Sequence, residues 1–465
     1  MLSSAINPES SEKQSQTIRE LVCNSRDAVV LITGQVTLSD NSGNVSIIAT
    51  RGNGFFIKGH YIICPASLVL ISPDLLATNS RIPAFPNNDS LIRVSRILID
   101  VSNVNGSSHS YNYDAEIIGI DGAGNIAILR IITNSEWNNA NPLIRTCHKF
   151  LQWGKSRSSC PGDSVMLIGD TPSTLMDTLL PSDVKKYGLL LPGAENAVSF
   201  GTISDNRYVF PGGYVSGELL LLSNIIAKGE QQGLPIITMD GAVIGMIIHI
   251  HNSSSNNIGL SEFFMRRPVK SIIKTYQDGS ISTRYRGFIT PVSDPIGDYY
   301  RFDKSWLGIA GILMGAQDYN TDIVDLIRIP SSDTLGCKEI IGYRVLAVAG
   351  IIGTTGLFTP GNVPDNFLIP QMKQSPLYNI IIPGDIITHI NDCPLGDRKG
   401  QISPSLVMWR VQPGNTVKIM YKKQIERFQY NHEITVVTES YHQLLDFPFY
   451  SKFDIPFQNM LPTLL

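Results

Sequence analysis

Gly229-Glu-Gln-Gln-Gly-Leu-Pro-Ile-Ile-Thr-Met-Asp-Gly-Ala-Val-Ile-Gly245 carries the clearest local signal in the chain. Pro235–Thr238 is a short run of apolar and β-branched residues, the composition of a buried strand. Met239-Asp-Gly241 follows it. An Asp-Gly pair flanked by apolar runs marks a tight hairpin turn, because both residues tolerate positive φ. Ala242–Gly245 then supplies the returning strand, and the polar stretch before Leu234 is a turn that enters the hairpin.

The same grammar recurs along most of the 465 residues. Asp27–Thr33 is a compact apolar run between polar residues, Thr37–Asn44 has turn composition, and Val45–Thr50 is a further strand. Ser72–Ser110 is loop-rich and interrupted by a strand over Leu91–Val101. Before Asp27 the chain is polar, with one short helical segment over Lys13–Val22. A length of this order accommodates two or three domains, each with its own core.

The net charge of −3 and the lack of a Lys/Arg-rich run give no electrostatic basis for binding nucleic acid. Residues Met1–Val22 lack the apolar core of a secretory signal. The longest apolar runs, Leu219–Leu222 and Ala242–Ile250, are far shorter than the roughly 20 residues that cross a bilayer, so no membrane span is expected and both are buried strands. A cytoplasmic or virion location is the expectation. The six cysteines, Cys23, Cys64, Cys147, Cys160, Cys337 and Cys393, show no metal-ligand spacing. Free buried thiols are expected, with neither metal nor cofactor.

Motifs in a fixed order extend this pattern. Gly52-Asn-Gly-Phe-Phe-Ile57 leads through a short turn into Tyr61-Ile-Ile-Cys-Pro-Ala-Ser-Leu-Val69. Asp114-Ala-Glu-Ile-Ile-Gly-Ile-Asp-Gly-Ala-Gly-Asn-Ile-Ala-Ile-Leu-Arg-Ile131 follows, then Gly162-Asp-Ser-Val-Met-Leu-Ile-Gly169 and Val198-Ser-Phe-Gly-Thr-Ile-Ser204. Together with Pro235–Gly245 and the strand and helix of Ile258–Ile273, this order resembles the trypsin-like serine proteases of the HtrA family. The resemblance implies a mainly β fold: a trypsin-like double six-stranded antiparallel β-barrel followed by a PDZ-like domain. It implies an N-terminal arm over 1–26, a protease-like domain over 27–280, a PDZ-like domain over 281–440 with a long insert near 349–375, and an aromatic tail over 441–465. The Gly279–Gly287 segment is similar to the family's interdomain linker.

The resemblance also aligns three positions. Ser67 stands where the family has its catalytic histidine, Asn125 where it has aspartate, and Gln232 where it has the nucleophilic serine. Serine cannot replace imidazole, whose pKa lies near neutrality. Neutral Asn125 cannot stabilise a cationic base, and the delocalised amide of Gln232 is not a nucleophile. The oxyanion turn is altered too. Glu230 and Gly233 lie in Glu230-Gln-Gln-Gly-Leu234, which has lost two of the family's glycines and gained a carboxylate. The expectation is therefore a pseudoprotease with a vestigial triad at Ser67, Asn125 and Gln232 and no catalytic residue. His60 is a turn residue, His249 and His251 alternate on one face of a strand, Cys64 is a buried thiol and His389 is a surface residue.

In the last third, Ser305-Trp-Leu-Gly-Ile309, Gly342–Val348, Ile382-Pro-Gly-Asp-Ile-Ile-Thr-His-Ile-Asn391 and Val411-Gln-Pro-Gly-Asn-Thr-Val-Lys-Ile-Met-Tyr421 resemble PDZ motifs. The resemblance assigns Trp306, Leu307, Gly308 and Ile309 to the loop and strand edge that hold an extended peptide and its terminal carboxylate. The expected partners are a protein or peptide, C-terminal peptides or neighbouring subunits, with a homotrimer implied by the family. Phe447, Phe449, Tyr450, Phe453 and Phe457 make the tail too apolar for solvent, so it is expected to dock. The Ile- and Asn-rich composition is similar to that of proteins from AT-rich viral genomes, so a structural virion component is one expectation. An endopeptidase with a displaced site and a chaperone-like holdase are the alternatives.

Overall fold

The computed structural model describes residues 18–39, 45–57, 61–71, 92–101, 111–132, 149–171, 194–208, 219–224, 232–248, 258–294, 297–314, 342–348, 375–382, 384–396, 402–423 and 431–441. These form two compact units. One comprises 1–206, 219–281 and 291–301, and the other 207–218, 282–290 and 302–465.

The first unit holds two closed six-stranded antiparallel barrels, the trypsin-like double barrel. Barrel one is built from β1 (Val29–Ser39), β2 (Val45–Ile57), β3 (Tyr61–Cys64), β4 (Arg96–Val101), β5 (Tyr111–Asp121) and β6 (Ile126–Ile131). Its strand path is β5-β4-β1-β2-β3-β6, and pairing of β5 with β6 closes the circle. Barrel two uses β7 (Ser164–Thr171), β8 (Ala194–Tyr208), β9 (Leu219–Ser223), β10 (Pro235–Thr238), β11 (Ala242–Ile247) and β12 (Ile258–Ser261). Its path β10-β7-β8-β9-β12-β11 closes through the β10–β11 hairpin, whose turn carries Gly241 at φ 87°. Closure removes exposed sheet edges and buries the inward residues of each strand. Val165, Leu220, Ile236 and Ile244 fill the second barrel in this way.

Two local expectations need correction. Thr37–Ser39 are strand rather than turn: they pair with Val45–Ile47 and carry the β1–β2 ladder out to Ser39↔Val45. The strand expected over Leu91–Val101 is interrupted at Val94 and Ser95, whose amides donate instead to Val69 O (3.0 Å) and Gln35 O (2.8 Å). The described N-terminal helix, α1, covers 18–26. The four described cysteines are free as expected, but among them only Cys64 is buried. Cys23 and Cys160 are exposed and Cys393 is half-buried.

Helix α2 (Glu262–Asp278) follows β12 directly. Ser261 caps it, its Oγ accepting from Phe263 N, and Gly279 ends it at φ 64°. Phe264, Pro268 and Ile272 recur every four residues on the buried face. Ile272 seats against β5 only because position 119 is glycine: a Cβ there would lie 2.3 Å from Ile272 Cγ2. The last turn is tied down by polar contacts. Tyr276 OH donates to Glu116 Oε1 (3.2 Å), which also receives Arg130 Nε (2.7 Å), and Gln277 Nε2 donates to Tyr61 OH (3.1 Å).

The second unit contains a sheet of order β13-β14-β15-β16-β17, made by β13 (Ile309–Met314), β14 (Gly342–Val348), β15 (Ile386–Ile390), β16 (Thr416–Lys422) and β17 (His432–Val437). Its core packs Leu307, Val345, Ile387 and Ile419 with Met408 of the short helix α3 (Pro404–Met408). The short strands Lys304–Trp306 and Glu439–Tyr441 pair antiparallel beside it.

Ser261 both caps α2 and meets the buried Ser156 Oγ at 2.9 Å. Ser261→Ala is expected to cost the first unit about 1–2 kcal/mol. Urea denaturation should show a lower midpoint at unchanged slope, and Ser261→Thr should recover most of the loss.

Candidate functional site

Three turns bring the aligned positions together. Ser67 is the middle residue of a single 3-10 turn, Ala66–Leu68, that follows β3. Asn125 ends the tight turn between β5 and β6, at φ 51°. Asparagine tolerates that left-handed conformation better than most residues. The turn is set by Asn125 N donating to Gly122 O (2.9 Å) and Gly124 N donating to Asp121 Oδ1 (2.9 Å). Gln232 stands three residues before β10.

Their contacts form a chain of neutral hydrogen bonds. Asn125 is 2% exposed. Its backbone carbonyl accepts from Ala66 N (3.2 Å) and its Oδ1 from Ser67 N (2.9 Å). Ser67 Oγ donates to Gln232 Oε1 at 3.1 Å. The Gln232 carbonyl accepts from Asn53 N on β2 (2.8 Å), and Gly233 N donates to Ile247 O (2.8 Å). Gly233 sits at φ 88°, and a Cβ there would lie 1.8 Å from Asn53 O. The backbone entering β10 is thus pressed against β2 with no space for a side chain. Asn53 is fully buried. It escaped the sequence-based site list, although the glycines on both sides of it signal a close backbone approach.

Chemically, the serine proton points at an amide oxygen. An amide oxygen accepts a hydrogen bond but does not take up a proton near neutral pH. Asn125, used twice by the backbone of the Ser67 turn, orients that turn without adding charge. Cys64, three residues before Ser67, is fully buried, and burial pushes its thiol far above the usual range. Burial thus favours the neutral thiol, which is not the nucleophilic form. Glu230, His60, His249 and His251 lie outside the described residues. No group of His, Cys, Asp and Glu suited to a metal occurs among the described residues.

In the second unit, Trp306 closes the short strand Lys304–Trp306, and Leu307 is buried in the core. Gly308 turns the chain at φ 64°. Ser375 braces this turn: its Oγ donates to Leu307 O (2.5 Å) and accepts from Leu377 N (2.9 Å). A Cβ at Gly308 would meet Ser375 Cβ at 2.6 Å. Ile309 then opens β13, an end strand of the sheet among the described residues. His389, expected at the surface, is half-buried in β15, with Nδ1 3.1 Å from Thr388 Oγ1. Its strand is an inner one, which limits exposure on both sides.

No family model matches the sequence, and no curated protein matches it. Among solved structures, the HtrA-type protease AlgW with decapeptide is similar at 14% identity, covering 91% of this chain and 98% of that one, with TM-score 0.47. AlgW with tripeptide is similar at 13% identity, covering 91% and 97%, with TM-score 0.45. Deg5 is similar at 18% identity, covering 56% of this chain and 96% of that one, with TM-score 0.36. These likenesses lie at the level of the fold alone.

Gly233→Ala combines a positive φ with a collision against Asn53, and is expected to destabilise the first unit by about 3 kcal/mol or more. Chemical denaturation measures it. A loss below about 1 kcal/mol would show that the seam yields.

Proposed function

We propose that the chain is a protease-like homologue that binds polypeptide without cleaving it. One observation carries this: Ser67 donates its hydroxyl proton to the amide of Gln232. In the place where the HtrA resemblance puts a base and a nucleophile, this pair holds neither. Asn125 supplies no charge that could stabilise a protonated base. The buried, protonated Cys64 speaks against the displaced-site alternative.

Binding is assigned to the second unit, taken as a PDZ-like domain. β13 is an end strand whose entry is the braced turn Leu307–Gly308. A sheet edge accepts an added strand through backbone hydrogen bonds, and a tight turn beside it presents amides to a terminal carboxylate. Trp306, Leu307, Gly308 and Ile309 form that edge and turn, and the ligand is an extended peptide or the terminus of a partner protein.

The test combines turnover and affinity on the full chain. A C-terminal peptide library should yield binders, none of them cut when followed by mass spectrometry. Gly308→Ala should weaken binding by about tenfold, since the new Cβ strains the turn against Ser375, while the unfolding of the barrels stays unchanged. New peptide termini that disappear with Ser67→Ala would overturn the proposal. Absence of any binder would overturn the assignment of the edge.

A further inference from the structure

Helix α2 buries Phe264, Pro268 and Ile272 against the rest of the first unit. At about 100° per residue, Arg266, Arg267, Lys270 and Lys274 fall within one sector of about 100° on the opposite face. Their exposure agrees with that placement: Lys270 and Lys274 are exposed, and Arg266 and Arg267 are half-buried. Phe263 lies on the same face, and the guanidinium of Arg157 stands over its ring at 4.1 Å. Arg157 thus extends the row by a turn, so that the cations cover about 16 Å from Phe263 to Lys274. Exposed Lys155 precedes the 3-10 turn that carries Arg157. Ser156 in that turn meets Ser261 at the helix start, Oγ to Oγ, at 2.9 Å.

The row stands against its own electrostatics. Arg266 and Lys270 are four residues apart, as are Lys270 and Lys274, and like charges at that spacing repel along a helix. Arg157, Arg266 and Arg267 gather at the N-terminal end, where the helix dipole favours anions. The helix has two acids. Glu262 is buried and pairs with Arg266 at 3.1 Å, and Asp278 ends the helix one turn beyond Lys274. A count along the sequence misses the row, because Arg157 joins it from a segment far from α2 and the net charge of the whole chain is −3.

We propose that this face of α2 binds the phosphate backbone of a nucleic acid duplex. A line of cations on a rigid, capped helix matches a regular line of phosphates, and binding would release the counterions condensed on them. Single strands are held chiefly by stacking on aromatic rings, and the ring on this face, Phe263, is already covered by Arg157. Helices that bind membrane surfaces place large apolar side chains beside the basic ones. The exposed large apolar residues among those described, Phe150, Phe200, Met239 and Val437, all lie outside α2. Lysine and arginine on phosphate carry no sequence information, so the contact is independent of base sequence. The inference does not rest on the peptide site of the second unit.

Fluorescence anisotropy of a labelled mixed-sequence duplex, titrated with the full chain, tests this. The logarithm of the binding constant should fall against the logarithm of salt concentration with a slope of about −4. Lys270→Gln/Lys274→Gln should make that slope shallower by about 2 and weaken binding at low salt at least tenfold. Lys270→Arg/Lys274→Arg should keep both the affinity and the slope. Because both lysines are exposed, the two double variants should unfold at the wild-type urea midpoint. Absence of duplex binding at low salt would overturn the proposal, as would an unchanged slope in the glutamine variant. A clearly lower urea midpoint in both variants would overturn it by giving the row a structural role. Tighter binding to the single strand or to polyglutamate than to the duplex, or capture on phosphatidylglycerol vesicles without duplex binding, would overturn it in favour of another partner.

Discussion

The first unit depends on a steric constraint. The backbone at Gly233 runs against Asn53 with no room for a Cβ. That approach lets the Asn53 amide reach the Gln232 carbonyl and holds the Gln232 side chain at the Ser67 hydroxyl. Asn125 completes the arrangement by anchoring the Ser67 turn through its backbone and side chain. Each bond joins neutral groups, each worth on the order of 1 kcal/mol net. Their shared effect is to fix one geometry where strands of both barrels approach. Among the described residues, the hydrogen-bonded cluster Ser67–Gln232–Asn125 is made of neutral groups.

Much of this was legible in the sequence, because strand register converts spacing into position. The runs Tyr61–Val69 and Asp114–Ile131 align without gaps, and in a hairpin a gapless match fixes which residue sits at the turn. In the structure Ser67 N lies 2.9 Å from Asn125 Oδ1. Gln232 followed from Pro235 and Gly241, which bracket the strand after it. The Asp-Gly turn was legible for the same reason: Gly241 has the positive φ that the pair signals.

What escaped was whatever depends on three-dimensional neighbours. Asn53 carries no motif of its own in the sequence; its backbone amide and carbonyl meet the chain at Gln232 and Gly233. Thr37–Ser39 look like a turn in isolation but gain strand pairing from Val45–Ile47. Cys23 and Cys160 are exposed although cysteine is among the most often buried residues. The insert apart from Ser375, and the tail after Tyr441, lie outside the described residues.

The central claim is that the Ser67–Gln232–Asn125 cluster cannot generate a nucleophile. A fluorophosphonate probe, which reacts with activated serine hydroxyls, tests it most directly on the intact purified chain. The account predicts no adduct by intact mass at neutral pH. An adduct mapped to Ser67, and absent from Ser67→Ala, would contradict it.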